Sequence, residues 1–109
     1  MKTANAQGKK MKPRKTRILN YLQKEKEFLR RSGVRRIGLF GSAARGENRK
    51  NSDLDFLVEM GKPTFDGYMD VKLRLEDVFH RPVDLVLSHN LKPRLRQRIL
   101  AETVYAPGL

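Results

Sequence analysis

The sequence predicts an α/β (α+β) domain in which a mixed sheet of three to four strands is flanked by helices. Three observations predict it. Apolar runs of strand length alternate with longer stretches that repeat at helical spacing. Most junctions between them carry Gly, Pro or Ser, the residues that end regular structure. A chain of 109 residues has room for one modest core and no second domain.

Each element has its own justification. Ile18, Tyr21, Leu22, Phe28 and Leu29 share a helical face, and Ser32-Gly33 offers the left-handed stop that a helix end prefers, which predicts a helix over 16–31. Val34 to Phe40 is a short apolar strand ending at Gly41, and 42–45 opens a short second helix directly behind it. Leu54 to Met60 is the second strand. Gly61-Lys62-Pro63 breaks the chain, and Thr64 stands at an N-cap position. Behind it Phe65, Tyr68, Val71, Leu75, Val78 and Phe79 keep helical period, so 65–79 is a helix with these side chains expected in the core. Pro82 leads into a third strand, 83–87. A last helix over 93–101 is expected to turn Leu95, Ile99 and Leu100 inward, and Val104-Tyr105 to add an edge strand.

Charge is unevenly placed. The chain carries 24 Lys and Arg against 12 Asp and Glu, a formal +12 that favours polyanionic partners. Residues 1–17 hold seven of the basic residues and none of the acidic ones, which leaves +5 on 18–109. This segment reads as a basic, disordered tail ahead of a domain over 18–109, able to touch nucleic acid by charge alone or to act only as a solubilising extension. With no cysteine, disulfide frameworks and thiolate metal sites are excluded and a reducing cytoplasm is the expected setting. No apolar run approaches the ~20 residues of a membrane span, so no membrane partner is expected.

The chemistry concentrates in GLFGSAARGENRKNSDLDFLVEM, residues 38–60. Residues two apart on a strand project from one face about 6.5 Å apart, so Asp53 and Asp55 point together while Leu54 does not. Paired carboxylates suit Mg²⁺, which takes oxygen ligands and is held by one or two carboxylates plus substrate phosphates. Two such ions about 4 Å apart serve in-line phosphoryl displacement. Asp84 is the natural third carboxylate, because it interrupts an otherwise apolar strand. Gly41 lets phosphate oxygens approach the backbone, Ser42 adds a hydroxyl donor, and Arg45 can add a guanidinium or pair with Glu47 instead. Arg49 and Lys50 lie nearer the loop tip and are expected to be solvated, as are His80 and His89.

Gly41-Ser42, ten residues, Asp53-Leu54-Asp55 and then Asp84 together resemble the signature of the DNA polymerase beta type nucleotidyltransferases. With GSAARG, SDLDFLV and VDLVL in so short a chain, the sequence is similar to the minimal nucleotidyltransferase (MNT) antitoxins over about 18–106. The resemblance implies a small nucleotidyltransferase fold and an antitoxin of a type VII-like toxin–antitoxin pair, whose partner is a HEPN-domain ribonuclease toxin. It implies that Asp53, Asp55 and Asp84 bind two Mg²⁺ ions, that Asp84 helps to activate the acceptor hydroxyl, and that Gly41 and Ser42 hold the triphosphate. The implied reaction transfers AMP from ATP to a tyrosine of the toxin. Two alternatives stay open: neutralisation by binding and occlusion alone, and a nucleotidyltransferase directed to nucleic acid by the tail. Arg74 and His80 match a spacing found in the ribonuclease partners, but six positions apart on a helix they face different ways.

Overall fold

The computed structural model describes residues 14–47, 49 and 52–108. Most of the basic tail, 1–13, and the loop position Lys50 lie outside the described residues. The chain order is α1 (Lys15–Lys24), α2 (Lys26–Arg31), β1 (Val34–Phe40), α3 (Gly41–Ala44), β2 (Leu54–Met60), α4 (Phe65–Phe79), β3 (Val83–Leu87), a 3-10 turn at Ser88–Asn90, α5 (Pro93–Glu102) and β4 (Val104–Tyr105). The strands form one mixed sheet in the order β3-β2-β1-β4. β1 runs antiparallel to β2 and β4, and β2 runs parallel to β3. A parallel pair needs a crossover connection, and α4 supplies it.

Strand alternation sorts the sheet into two unequal faces. Leu54, Phe56, Val58 and Met60 of β2, with Ile37 and Leu39 of β1, are buried in the core with Ile18 and Leu22 of α1, Leu29 of α2, and Val71 and Leu75 of α4. Tyr21 and Phe79 meet edge to face at 5.4 Å, which joins α1 to the end of α4. The second face carries Asp55, Leu57 and Glu59 and is where the functional residues gather. Among the described residues no helix is long and apolar enough to cross a membrane.

Four expectations are corrected. The helix expected over 16–31 is two, broken at Glu25, whose backbone (φ −98°, ψ 17°) leaves helical geometry. The carboxylate of Glu25 accepts from the Tyr21 hydroxyl at 2.7 Å and from Arg74 Nη1 at 3.0 Å, so α4 ties down the break. The tail boundary also moves, since Lys15 to Arg17 belong to α1. Phe65, expected in the core, is 78% exposed at the first position of α4, and Val78 is 37% exposed. Finally, α5 buries none of its residues: Leu95 and Leu100 are more than a third exposed. It packs against α3, and Arg96 and Leu100 line a cavity with Leu57 and Glu59 on the second face, while none of its residues joins the main core.

Candidate active site

The ends of three strands define the site. Asp55, second residue of β2, pairs in register with Phe40, the last residue of β1, and with Asp84, the second residue of β3. Register partners on neighbouring parallel strands share a face and lie about 4.8 Å apart, so Asp84 falls on the same side of the sheet as Asp55. Asp53 precedes the strand by one residue, is exposed, and stands close enough to Asp55 to repel its carboxylate. Asp55 itself is half-buried. Burial, then the neighbouring anions Asp84, Asp53 and Glu102, push its carboxyl up to about 6, and Arg45 only partly opposes them.

Gly41 sits against this carboxylate. Its φ of +75° is left-handed, and a Cβ there would run into the side chain of Asp55, so both backbone and space demand glycine. The glycine brings α3 into contact with the acidic strand end. Ser42 is half-buried in α3, and its carbonyl accepts the N–H of Glu47 at 2.8 Å, which folds the following loop back. Arg45 is engaged on two sides: Nε donates to Glu47 Oε1 at 2.9 Å and Nη1 to Glu102 Oε1 at 3.1 Å. The surface pairing with Glu47 is therefore formed, yet Arg45 still lies at the acidic cluster. Glu102 Oε2 also accepts the N–H of Gly41 at 2.8 Å.

Three contributors were not singled out from the sequence. Glu102, from the last turn of α5, is the only acidic residue after Asp84, and that isolation is the one signal it gives. Gly38 is the second: a Cβ there would lie 2.6 Å from Thr103 Cγ2 and 2.9 Å from the Val104 carbonyl, so its bareness lets the end of α5 approach the strands. Arg81 is the third. Its Nη1 donates to the carbonyls of Arg49 at 2.8 Å and Ser52 at 3.2 Å, fixing the loop that delivers Asp53, so the backbone of Arg49 is anchored rather than simply solvated.

The donor set suits a hard divalent cation, since Asp53, Asp55 and Asp84 offer only carboxylate oxygens and their mutual repulsion at Asp55 is what such an ion relieves. Among the described residues, no three acidic or histidine side chains are already drawn together as a closed ligand group. Arg74 and His80 do not form a site: Arg74 pairs with Glu25 and lies over the Phe28 ring at 4.0 Å, and His80 is the left-handed cap of α4.

The chain as a whole is similar to known proteins. A family model described as polymerase beta, nucleotidyltransferase, matches residues 17–105. The chain is 39% identical over 82 residues to a protein adenylyltransferase, MntA, of Thermococcus cleftensis, a match covering 74% of this chain and 83% of the relative. A solved structure named provisionally as a minimal nucleotidyltransferase superposes with a TM-score of 0.65 at 38% identity, covering 79% of this chain and 93% of that one. A toxin–antitoxin crystal structure with AMP-PNP shares the fold, with a TM-score of 0.65 at 24% identity over 80% of this chain and 73% of that one.

Proposed function

The chain belongs to the polymerase beta nucleotidyltransferase family, and on that premise we propose that it is a protein adenylyltransferase antitoxin, transferring AMP from ATP to a tyrosine of a cognate HEPN-domain ribonuclease toxin. The observation that carries the reading is the register of Asp55 with Asp84 beside a left-handed Gly41: two strand carboxylates on one face next to bare backbone. A site built only to bind a protein gains nothing from crowding anions until one of them holds its proton to about pH 6. The similarity to an adenylyltransferase and to a toxin–antitoxin fold holding an ATP analogue supports the substrate and the kind of partner.

In this reading Gly41, Ser42 and Arg45 bind and orient the triphosphate so that its α-phosphorus faces the acceptor. Asp53, Asp55 and Asp84 would hold two magnesium ions. When bound, magnesium neutralises the phosphates and polarises both the attacking and the leaving oxygens. The tyrosine oxygen forms a bond to the α-phosphorus, the bond from that phosphorus to the bridging oxygen of the β-phosphate breaks, and pyrophosphate leaves with the electron pair. The phenolic proton passes to the carboxylate of Asp84. Modification of the tyrosine silences the toxin.

Intact-mass measurement tests this reading. The purified chain incubated with ATP, magnesium and its cognate helical ribonuclease is expected to add AMP-sized steps to the ribonuclease, and the Asp55→Asn and Asp84→Asn variants to add at least about 100-fold less. Absence of any mass gain, with neutralisation retained by an Asp53→Asn, Asp55→Asn variant, assigns the chain to neutralisation by occlusion.

A further inference from the structure

Glu102 occupies the donors that the proposed reaction reserves for phosphate. Its two carboxylate oxygens divide between them the Gly41 N–H, at 2.8 Å, and Arg45 Nη1, at 3.1 Å. Its place in the helix does not itself favour an anion. It is the last residue of α5, where the helix dipole presents its negative end, and it stands close enough to Asp55 to repel that carboxylate. Two donors therefore hold a side chain that its own helix end and Asp55 push away.

We infer that Glu102 is an internal competitor for the nucleotide, a carboxylate that occupies the Gly41 and Arg45 donors in the free protein and is displaced by the triphosphate. The inference rests on the assignment of those donors to ATP given above. A triphosphate is the stronger occupant, because it brings more charge and more acceptor oxygens to the same donors. Displacement is cheap on the protein side, since α5 has no buried residue that must leave the core when its last turn shifts. Arg45 keeps Glu47 as a partner throughout, at 2.9 Å, so its guanidinium stays aimed across the site when Glu102 withdraws. Glu102 acts in this way as a positioning residue: it holds the Gly41 N–H and the Arg45 guanidinium in place before substrate arrives, and it weakens capture of nucleotide in exchange.

Calorimetric titration of ATP with magnesium into the full chain and its Glu102→Gln variant decides the matter. The glutamine can still accept from Gly41 but no longer competes by charge, so the variant is expected to bind ATP five- to tenfold more tightly, without a matching gain in melting temperature. Equal or weaker binding by a folded variant overturns the inference while leaving the function intact. ATP binding to neither protein overturns the function and the inference together. For a variant that does not fold, carbon NMR of the Glu102 carboxyl in the unaltered chain gives the answer. Saturating ATP is expected to shift that resonance together with the Gly41 amide, and a carboxyl resonance that stays in place overturns the inference.

Discussion

Gly41 and Asp55 illustrate how much depends on single atoms. An alanine at 41 has to adopt a left-handed φ, which costs about 1–2 kcal/mol, and its methyl group displaces the carboxyl of Asp55. Gly41→Ala is therefore expected to lower Tm by roughly 5–10 °C and to abolish AMP transfer, whereas alanine at Gly46, where none of the described residues approaches the Cβ, meets only the backbone part of that cost. Differential scanning calorimetry on the two variants checks this, and equal effects would show that Asp55 is not the obstacle. Asp55 adds a pH signature. Its folded pKa, about 6, lies above the ordinary carboxylate value, so the folded chain holds a proton through about pH 4–6 that the unfolded chain has released. Stability from this group is thus present at low pH, is lost as pH rises through that window, and stays lost above it. Asp55→Asn is expected to raise the stability of the metal-free protein at pH 8 by about 1 kcal/mol, after allowance for a carboxyl that is half in solvent, and to gain nothing near pH 4. Melting curves at both pH values test the sign. A gain at pH 4 as large as that at pH 8 contradicts it.

Among the elements, α4 has the clearest local cause. Thr64 Oγ1 accepts the Gly67 N–H at 3.0 Å, and the helix then runs fifteen residues to a left-handed His80. Because this helix connects the parallel pair β2 and β3, its start also fixes where Asp84 arrives. Thr64→Ala is expected to cost about 1 kcal/mol and Thr64→Ser much less, read as a fall in the urea midpoint at constant slope. Elements whose cause is local in this sense were legible in the sequence: the apolar runs of β1, β2 and β3, the capped α4, even the two-residue β4, all lie where residue spacing puts them. The spacing also placed Asp53, Asp55 and Asp84 at neighbouring strand ends, because a parallel register turns sequence position into a shared face. What the sequence hid has distant causes. The break at Glu25 depends on Arg74, forty-nine positions away, and the outward turn of Leu95 and Leu100 depends on α5 lying at the rim rather than on the core. Glu102 reaches Gly41 across sixty-one positions, and only because Gly38 leaves room for Thr103.

At the scale of the whole molecule, stability and chemistry occupy different parts of the structure. The fully buried side chains Phe56, Ile37, Leu39, Leu54 and Val58 belong to β1 and β2 and pack against Ile18, Leu22, Val71 and Leu75, so the sheet centre and its covering helices open only when the domain unfolds. By contrast α5 contributes no buried residue, and the β4 strand behind it is short, pairing with β1 at Gly38–Tyr105 and Leu39–Val104 before the Ala106 N–H donates to the Ile37 carbonyl at 2.9 Å. The helix that carries Glu102 thereby buries none of its own side chains in the core. Helices held by few apolar contacts open in local steps well below the global unfolding energy. Amide hydrogen exchange on the isolated chain is accordingly expected to show α5 protected at least about 100-fold less than β1 and β2, equivalent to ~2.8 kcal/mol between local and global opening. Matched protection across α5 and β2 would mean that the rim helix unfolds only with the core, and the low cost assigned to moving Glu102 would then be wrong. ATP with magnesium should leave the protection of β2 unchanged and alter that of α3 and the last turn of α5, because the residues proposed to exchange one anion for another are confined to those two segments.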